Sequence, residues 1–308
     1  MKQHARAYTV LLASLLCVSG SHTADMQVLH TTGQNVQPAF EGWERRPDGG
    51  FDMVFGYLNR NYVEEPEIPV SSLNALSPGP ADRGQPTHFY PRRQSFVFRV
   101  TVPADWGEKK LIWTLTHNGR TATANGSLAP VWEMDAGVWK ANRGGGTAGR
   151  TTKEVAPNQR PTVQVAGESK LTVSQSGAAT LTVAVSDDGQ PGPEPPRGRG
   201  PSRRQAQPMS STGVPGTSPS ASPSSQDLVK ASAARETGLA VSWIHYRGAG
   251  VVTFEPRVIP INSEGKAMAG RASTTVRFSG PGTYVLRAFA DDGIYTTPAD
   301  FTVVVTGK

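Results

Sequence analysis

The chain has 308 residues, 37% of them hydrophobic and 18% charged, with 33 glycines, 25 prolines and a formal net charge of +6. That length admits two domains. The Gly and Pro content, with no long stretch of helical periodicity, excludes a helical bundle and points to an all-β protein rich in turns.

The N-terminus reads as an address. Lys2, His4 and Arg6 give a basic start, residues 8–18 an apolar run too short to span a bilayer, and residues 19–24 small residues suited to cleavage near Ala24. Residues 1–24 are therefore expected to be a secretory signal, placing the protein in the periplasm or outside the cell, and no later segment is apolar enough to cross a membrane. The single cysteine, Cys17, lies inside that signal, so the mature chain has no disulfide framework and no thiol chemistry. Much of the positive charge sits in the signal and in Arg197, Arg199, Arg203 and Arg204. An exported chain without an aromatic-basic module is not expected to bind nucleic acid, though a basic run can touch anionic surface polymers.

Residues 25–37 are polar and expected to be loosely held, and a first β-sandwich is expected over 38–132. Phe51, Met53, Phe55 and Tyr57 share one face of a strand at 49–59. Residues 62–69 are extended and acidic, with prolines that suit an edge, and 71–85 read as a long loop. Phe96, Phe98, Val100 and Val102 form one face of a strand at 95–102. Strands at 110–116 and 120–128 flank the hairpin signal Asn118-Gly119. Residues 133–160 are expected to be a linker, Gly-rich and flexible over 142–152, in which Val138 and Trp139 dock locally.

The second domain is expected over 161–308. Short strands at 162–165 and 170–173 precede a regular one at 177–186, with Leu181, Val183 and Val185 inward. Residues 190–226 are dominated by Pro, Gly, Ser, Arg and Gln and read as a disordered insertion. Leu239, Val241 and Trp243 then face inward, strands follow at 251–254 and 272–278, and 280–306 form a closing antiparallel pair. In that pair Tyr284, Leu286, Ala288 and Ala290 alternate with Val285, Arg287 and Phe289. Ile244, Tyr246, Val285 and Phe289 fall on the outward parity, an apolar patch that covers the first domain or meets a partner.

Trp243 on a mid-domain strand and Gly282-Thr283-Tyr284-Val285-Leu286 opening a late one resemble immunoglobulin-like domains, closest in flavour to the PKD-type and related bacterial modules. The resemblance implies a sandwich in which Tyr284 makes the tyrosine corner and Trp243 is the core tryptophan. It also implies that Leu286, with an inward Leu or Val of 177–186, stands where disulfide-bonded relatives carry cysteines. Trp243-Ile244-His245-Tyr246-Arg247-Gly248 departs from the acidic run usual in PKD modules, so the match is to the fold class. Residues 49–59 and 84–93 resemble the front half of uncharacterised secreted bacterial proteins, which implies export and nothing chemical.

Three sets of candidate site residues emerge. Asp187-Asp188-Gly189 and Asp291-Asp292-Gly293 end two similar strands, which an immunoglobulin-like sandwich brings to one pole. The four aspartates are either a calcium cage or two ordinary turns. His88 with Asp82, Arg92 and Arg93 is either a site for an anionic group or a loop tied down by Arg–carboxylate pairs. Trp43 and Trp106, with Tyr62, fall in expected turns and are the candidates for a stacking platform, whereas Trp113 is in phase with the core. His30, His88, His117 and His245 are scattered, with no close pair of the kind that holds zinc. No nucleophile elbow or phosphate loop is present. The reading is an exported, non-catalytic binding or structural module, with a cell-surface polymer, carbohydrate or protein as partner and no cofactor beyond calcium. The alternative is a polysaccharide-active enzyme with its site on the first domain.

Overall fold

The computed structural model describes residues 30–135, 137–139, 158–190, 234, 237–261 and 268–307. The signal at 1–24, the Gly-rich stretch 142–152 and nearly all of the insertion expected at 190–226 lie outside the described residues. The described chain is an all-β protein of two sandwiches. Among the described residues no helix is long and apolar enough to cross a membrane.

The first sandwich faces one three-stranded sheet, β1 (Val36–Arg45), β2 (Phe51–Asn59) and β4 (Arg92–Val102), against another, β3 (Asn74–Ser77), β5 (Leu111–His117) and β6 (Arg120–Gly126). Phe55, Phe98 and Trp113 fill its centre, with Trp113 edge-on to both phenylalanines. β1 is an addition to the sequence reading. Pro38 and Gly42 mask its pattern, yet both are tolerated: β1 is an edge strand, and Gly42 sits at a register shift. β3 likewise emerges inside the stretch read as a long loop.

Phe96 does not share the face of Phe98, Val100 and Val102. The register of β2 against β4 shifts between Phe55 and Tyr57, and Phe96 takes a left-handed φ of 57° there. Two extra residues in β4 break the alternation and put the Phe96 side chain on the opposite face, where it packs on Trp139 at 4.0 Å between ring centroids.

The second sandwich packs the sheet β11 (Val252–Glu255), β13 (Met268–Phe278), β9 (Ala179–Asp187), β7 (Thr162–Val165) on the sheet β12 (Val258–Pro260), β10 (Ala240–Arg247), β14 (Gly282–Asp291), β15 (Thr296–Thr306), β8 (Lys170–Ser174). All pairings are antiparallel except that of β8 with β15. This strand order is that of an immunoglobulin-like domain. Trp243 is fully buried, and the Tyr284 hydroxyl donates to the Gly280 carbonyl at 2.8 Å, closing the tyrosine corner.

β10 and β14 are buried on both faces. Val241, Trp243, Tyr284, Leu286 and Ala288 face the second core, whereas Ile244, Tyr246 and Phe289 belong to the core of the first sandwich. Nor are the described ends of the 133–160 segment loose. Glu133 pairs with Arg45 at 2.8 Å, Trp139 is fully buried, and Arg160 pairs with Glu44.

Candidate functional site

The seam between the sandwiches gathers the polar chemistry of the molecule. It begins with a short ribbon in the first sandwich. Residues 66–68 run against 87–89: Ile68 N donates to Thr87 O at 2.8 Å, Phe89 N donates to Pro66 O at 3.0 Å, and Glu67 stands opposite His88. Two fully buried asparagines fasten this ribbon. Asn74 Nδ2 donates to the carbonyls of Ile68 and Pro86, both at 2.8 Å, and Asn59 Nδ2 to those of Glu64 and Phe89. Backbone groups that have no sheet partner are thereby satisfied, and the ribbon is held where the second sandwich meets it.

The C-terminal end of β10 closes on the ribbon. Its register against β14 shifts between His245 and Arg247, a bulge that turns the strand end toward the first sandwich. Tyr246 O accepts the amides of Thr87 and His88, and the Tyr246 hydroxyl donates to Gly84 O. A relay of buried phenols runs beside it. Tyr57 Oη accepts the Tyr90 amide and Tyr90 Oη accepts the His245 amide, each at 2.9 Å. Burial pushes the Tyr90 hydroxyl up to about 12, so it stays a neutral phenol.

Between these elements lies a cavity of about 430 Å³ bordered by Glu65, Glu67, His88, Tyr90, His245 and Arg257. His88 Nδ1 is 2.5 Å from Glu67 Oε1 and its Nε2 is 3.0 Å from Glu65 Oε2. Burial opposes a charge on this imidazole, but the hydrogen bonds to Glu65 and Glu67 outweigh it and hold the His88 pKa above the ordinary value. Burial raises the Glu67 carboxyl, with His88 acting against it. His245 stacks on His88 at 4.3 Å between ring centroids. Burial first, and the charge on His88 second, push His245 down to about 3, so it is a neutral imidazole. Its Nε2 is buried without a hydrogen-bond partner, and its Nδ1 lies 3.9 Å from Glu67 Oε1. The two histidines, 157 positions apart in the sequence, form the close pair that the sequence did not reveal.

The residues singled out from the sequence are dispersed. Asp82 is not in a cluster with Arg92 and Arg93. Its carboxylate takes a fork from Arg247 of the second sandwich, at 2.7 and 3.0 Å, and that partner holds its pKa below the ordinary value. Arg93 pairs with Glu41 at 2.8 Å, while Arg92 lies 4.1 Å over the Tyr62 ring and donates to Arg60 O. The loop is tied down by Arg–carboxylate pairing, as one of the two readings had it, but to the other sandwich.

Trp43 and Trp106 offer no exposed stacking face, contrary to expectation. Trp43 lies in β1, 2% exposed, edge-on to Phe51, with its indole nitrogen donating to Ala129 O. Trp106 is 7% exposed and donates to Lys109 O, although its rim shares a cleft of about 580 Å³ with Asp82. Trp43 falls in a strand and not in a turn, because Pro38 and Gly42 mask β1; Trp106 does fall in a turn, which folds back on its own ring.

At the far pole the two Asp-Asp-Gly turns are linked through residues 158–159. Asn158 Nδ2 donates to Asp292 Oδ2 at 3.0 Å and Gln159 N to Asp188 Oδ2 at 3.1 Å. Asp187, Asp188, Asp291 and Asp292 each accept a backbone amide of their own turn. Among the described residues they make no group of three ligand atoms within 4.8 Å of one another, whereas the carboxylate of Glu67 and the imidazoles of His88 and His245 do.

No protein-family model matches the sequence, and no curated protein is significantly similar to it. Among solved structures, the D0-D1 domain of intimin is 10% identical over 87% of this chain and 98% of that one, with a TM-score of 0.24. Fibronectin(III)-like modules of Clostridium thermocellum CbhA are 12% identical over 89% and 95%, with a TM-score of 0.21. A protein of unknown function from Porphyromonas gingivalis W83 is 8% identical over 88% and 99%, with a TM-score of 0.22. Likeness at this level carries no argument; the strand order and the tyrosine corner define the second domain.

Proposed function

We propose that the chain is an exported, non-catalytic module of the bacterial envelope or extracellular space, in which two sandwiches act as one stiff body that presents its loops to a surface polymer, a carbohydrate or a protein. The observation that carries this reading is the seam. The outward faces of β10 and β14 are spent on the first sandwich through Ile244, Tyr246 and Phe289, and Arg247 and Arg287 both reach across. A spacer that must hold its orientation needs such an interface, whereas domains joined by a polar contact alone move relative to one another. The first sandwich is the reader of the ligand, through its cleft of about 580 Å³ lined by Asp82, Arg83, Arg99 and Trp106.

Cell fractionation, N-terminal sequencing and a polysaccharide panel test the reading together. The prediction is a protein found outside the cytoplasm, beginning near Asp25, that is retained on an envelope polymer without releasing product. Cytoplasmic protein retaining Met1, or product release lost on Asp82→Asn, overturns it.

A further inference from the structure

The interdomain cavity holds an arrangement that the proposed structural role does not require. We propose that Glu67, His88 and His245 form a binding site for a zinc-class divalent transition-metal ion that bridges the two sandwiches, with Glu65 beside it.

The geometry comes first. One ligand atom from each of the three residues lies within 4.8 Å of the others. Tetrahedral coordination at zinc bond lengths places ligand atoms about 3.4 Å apart. The group is therefore within small side-chain rotations of a coordination shell. The ribbon that carries Glu67 and His88 is fixed by Asn59 and Asn74, and His245 is fixed by the bulge of β10, so the backbone positions are set before any ion arrives.

The second observation is independent of the spacing. His245 is 2% exposed, and its Nε2 has no hydrogen-bond partner. A buried imidazole nitrogen without a partner is costly, and the other ring nitrogen, Nδ1, is the one that faces Glu67 Oε1, at 3.9 Å. A metal ion held through one ring nitrogen fixes the ring in place.

Charge gives the class of ion. Glu65 and Glu67 contribute two negative charges, and the imidazoles of His88 and His245 are the donors with affinity for a soft or borderline cation. A divalent ion matches the formal charge of the two carboxylates. Two nitrogens and a carboxylate suit zinc, and also cobalt, nickel or copper, whereas calcium and magnesium prefer all-oxygen shells. Glu65 is 40% exposed at its side chain, so the cavity communicates with solvent and the ion has a way in. Three protein ligands leave a coordination position toward the 430 Å³ cavity.

The test is isothermal titration of Zn²⁺ into the EDTA-treated full chain, with Co²⁺ absorption as a second readout of coordination. Glu67→Gln and His245→Asn are the test variants. His117→Asn is the control, because His117 and Glu64 form a separate pair at 3.2 Å. The expected result is one ion per chain, a Co²⁺ visible band of the intensity given by four- or five-coordinate nitrogen–oxygen sites, and a higher melting temperature with Zn²⁺. Glu67→Gln, which keeps the shape of the side chain, should weaken Zn²⁺ by more than the roughly 10–100-fold that loss of an outer partner costs. His245→Asn should do the same, and His117→Asn should change nothing. Circular dichroism establishes that each variant is folded. Absence of stoichiometric binding to the folded wild type overturns the proposal. So does binding that survives Glu67→Gln in folded protein, or that is lost only in His117→Asn.

Discussion

Arg287 of β14 lies 3.6 Å over the ring of Tyr246 on the neighbouring strand β10, and its Nη1 donates to Val97 O of the other sandwich at 2.9 Å. The same guanidinium forks onto Asp300 through two bonds, at 2.7 and 2.8 Å. One side chain therefore holds a strand pair together and joins that pair to the first domain. Arg287→Ala should destabilise the protein by about 3 kcal/mol, since it strips a buried carbonyl, a carboxylate and an aromatic face of their partner at once. Arg287→Lys should recover little, because an ammonium cannot reproduce the planar fork. Urea denaturation of both variants measures this; a Lys variant of wild-type stability would deny the fork its role.

Trp139 sits in a stretch whose composition reads as a linker, yet it is buried between Phe96, Tyr295 and the guanidinium groups of Arg99 and Arg160. Its indole nitrogen donates to Glu44 at 2.6 Å. Trp139→Ala should cost about 3–5 kcal/mol. A change below 1 kcal/mol in the same urea measurement would mean that this ring is not part of the packed body.

The tyrosine corner predicts an ordering of two substitutions. Tyr284→Phe loses the bond to Gly280 O and should cost about 1 kcal/mol. Gly248→Ala should cost more. The position has a φ of +118°, and a Cβ there would stand 2.8 Å from both Thr283 O and Tyr284 Cδ1. Melting temperatures of the two variants give the order directly, and the reverse order contradicts the packing at this corner.

The Asp pole makes stability depend on pH. Burial pushes the Asp292 carboxyl up to about 7 from an ordinary 3.8, opposed in part by the amides of Ile294 and Tyr295 and by Asn158. The unfolded chain releases this proton near pH 4 and the folded chain near pH 7. Stability contributed by the group is therefore full below pH 4 and lost as pH rises through 7. Asp187, pushed up to about 6 by burial, adds a slope of the same sign. Asp292→Asn should match wild type near pH 4 and exceed it by on the order of 2 kcal/mol at pH 8. Equal pH slopes in urea midpoints for the two proteins would contradict the assignment.

Much of the second sandwich was legible because its signals are local. Alternation in β9, β14 and β15, bounded by Gly and Asp turns, sets both the strands and their inner faces, and Tyr284 and Trp243 mark the corner and the core. The outward set Ile244, Tyr246 and Phe289 was legible too, as residues that must be covered. What stayed hidden depends on contacts made across the chain. Phe96 changes face because β4 bulges where it pairs with β2, and the register of that pairing is not written in β4 alone. Trp43 lost its strand context to Pro38 and Gly42. The pairing of His88 with His245 needed the docking of two domains, and no spacing rule reaches across 157 positions. A faint signal existed in the i, i+2 spacing of Glu65 and Glu67 in an extended segment, and in one histidine inside an otherwise apolar strand.

Native-state hydrogen exchange tests most directly whether the two sandwiches are one cooperative body. Core amides of β5 in the first and of β9 in the second should open with the same free energy, and Arg287→Ala should lower both together. Contradiction would be a β9 that opens several kcal/mol more easily than β5, with Arg287→Ala altering one sandwich and leaving the other untouched.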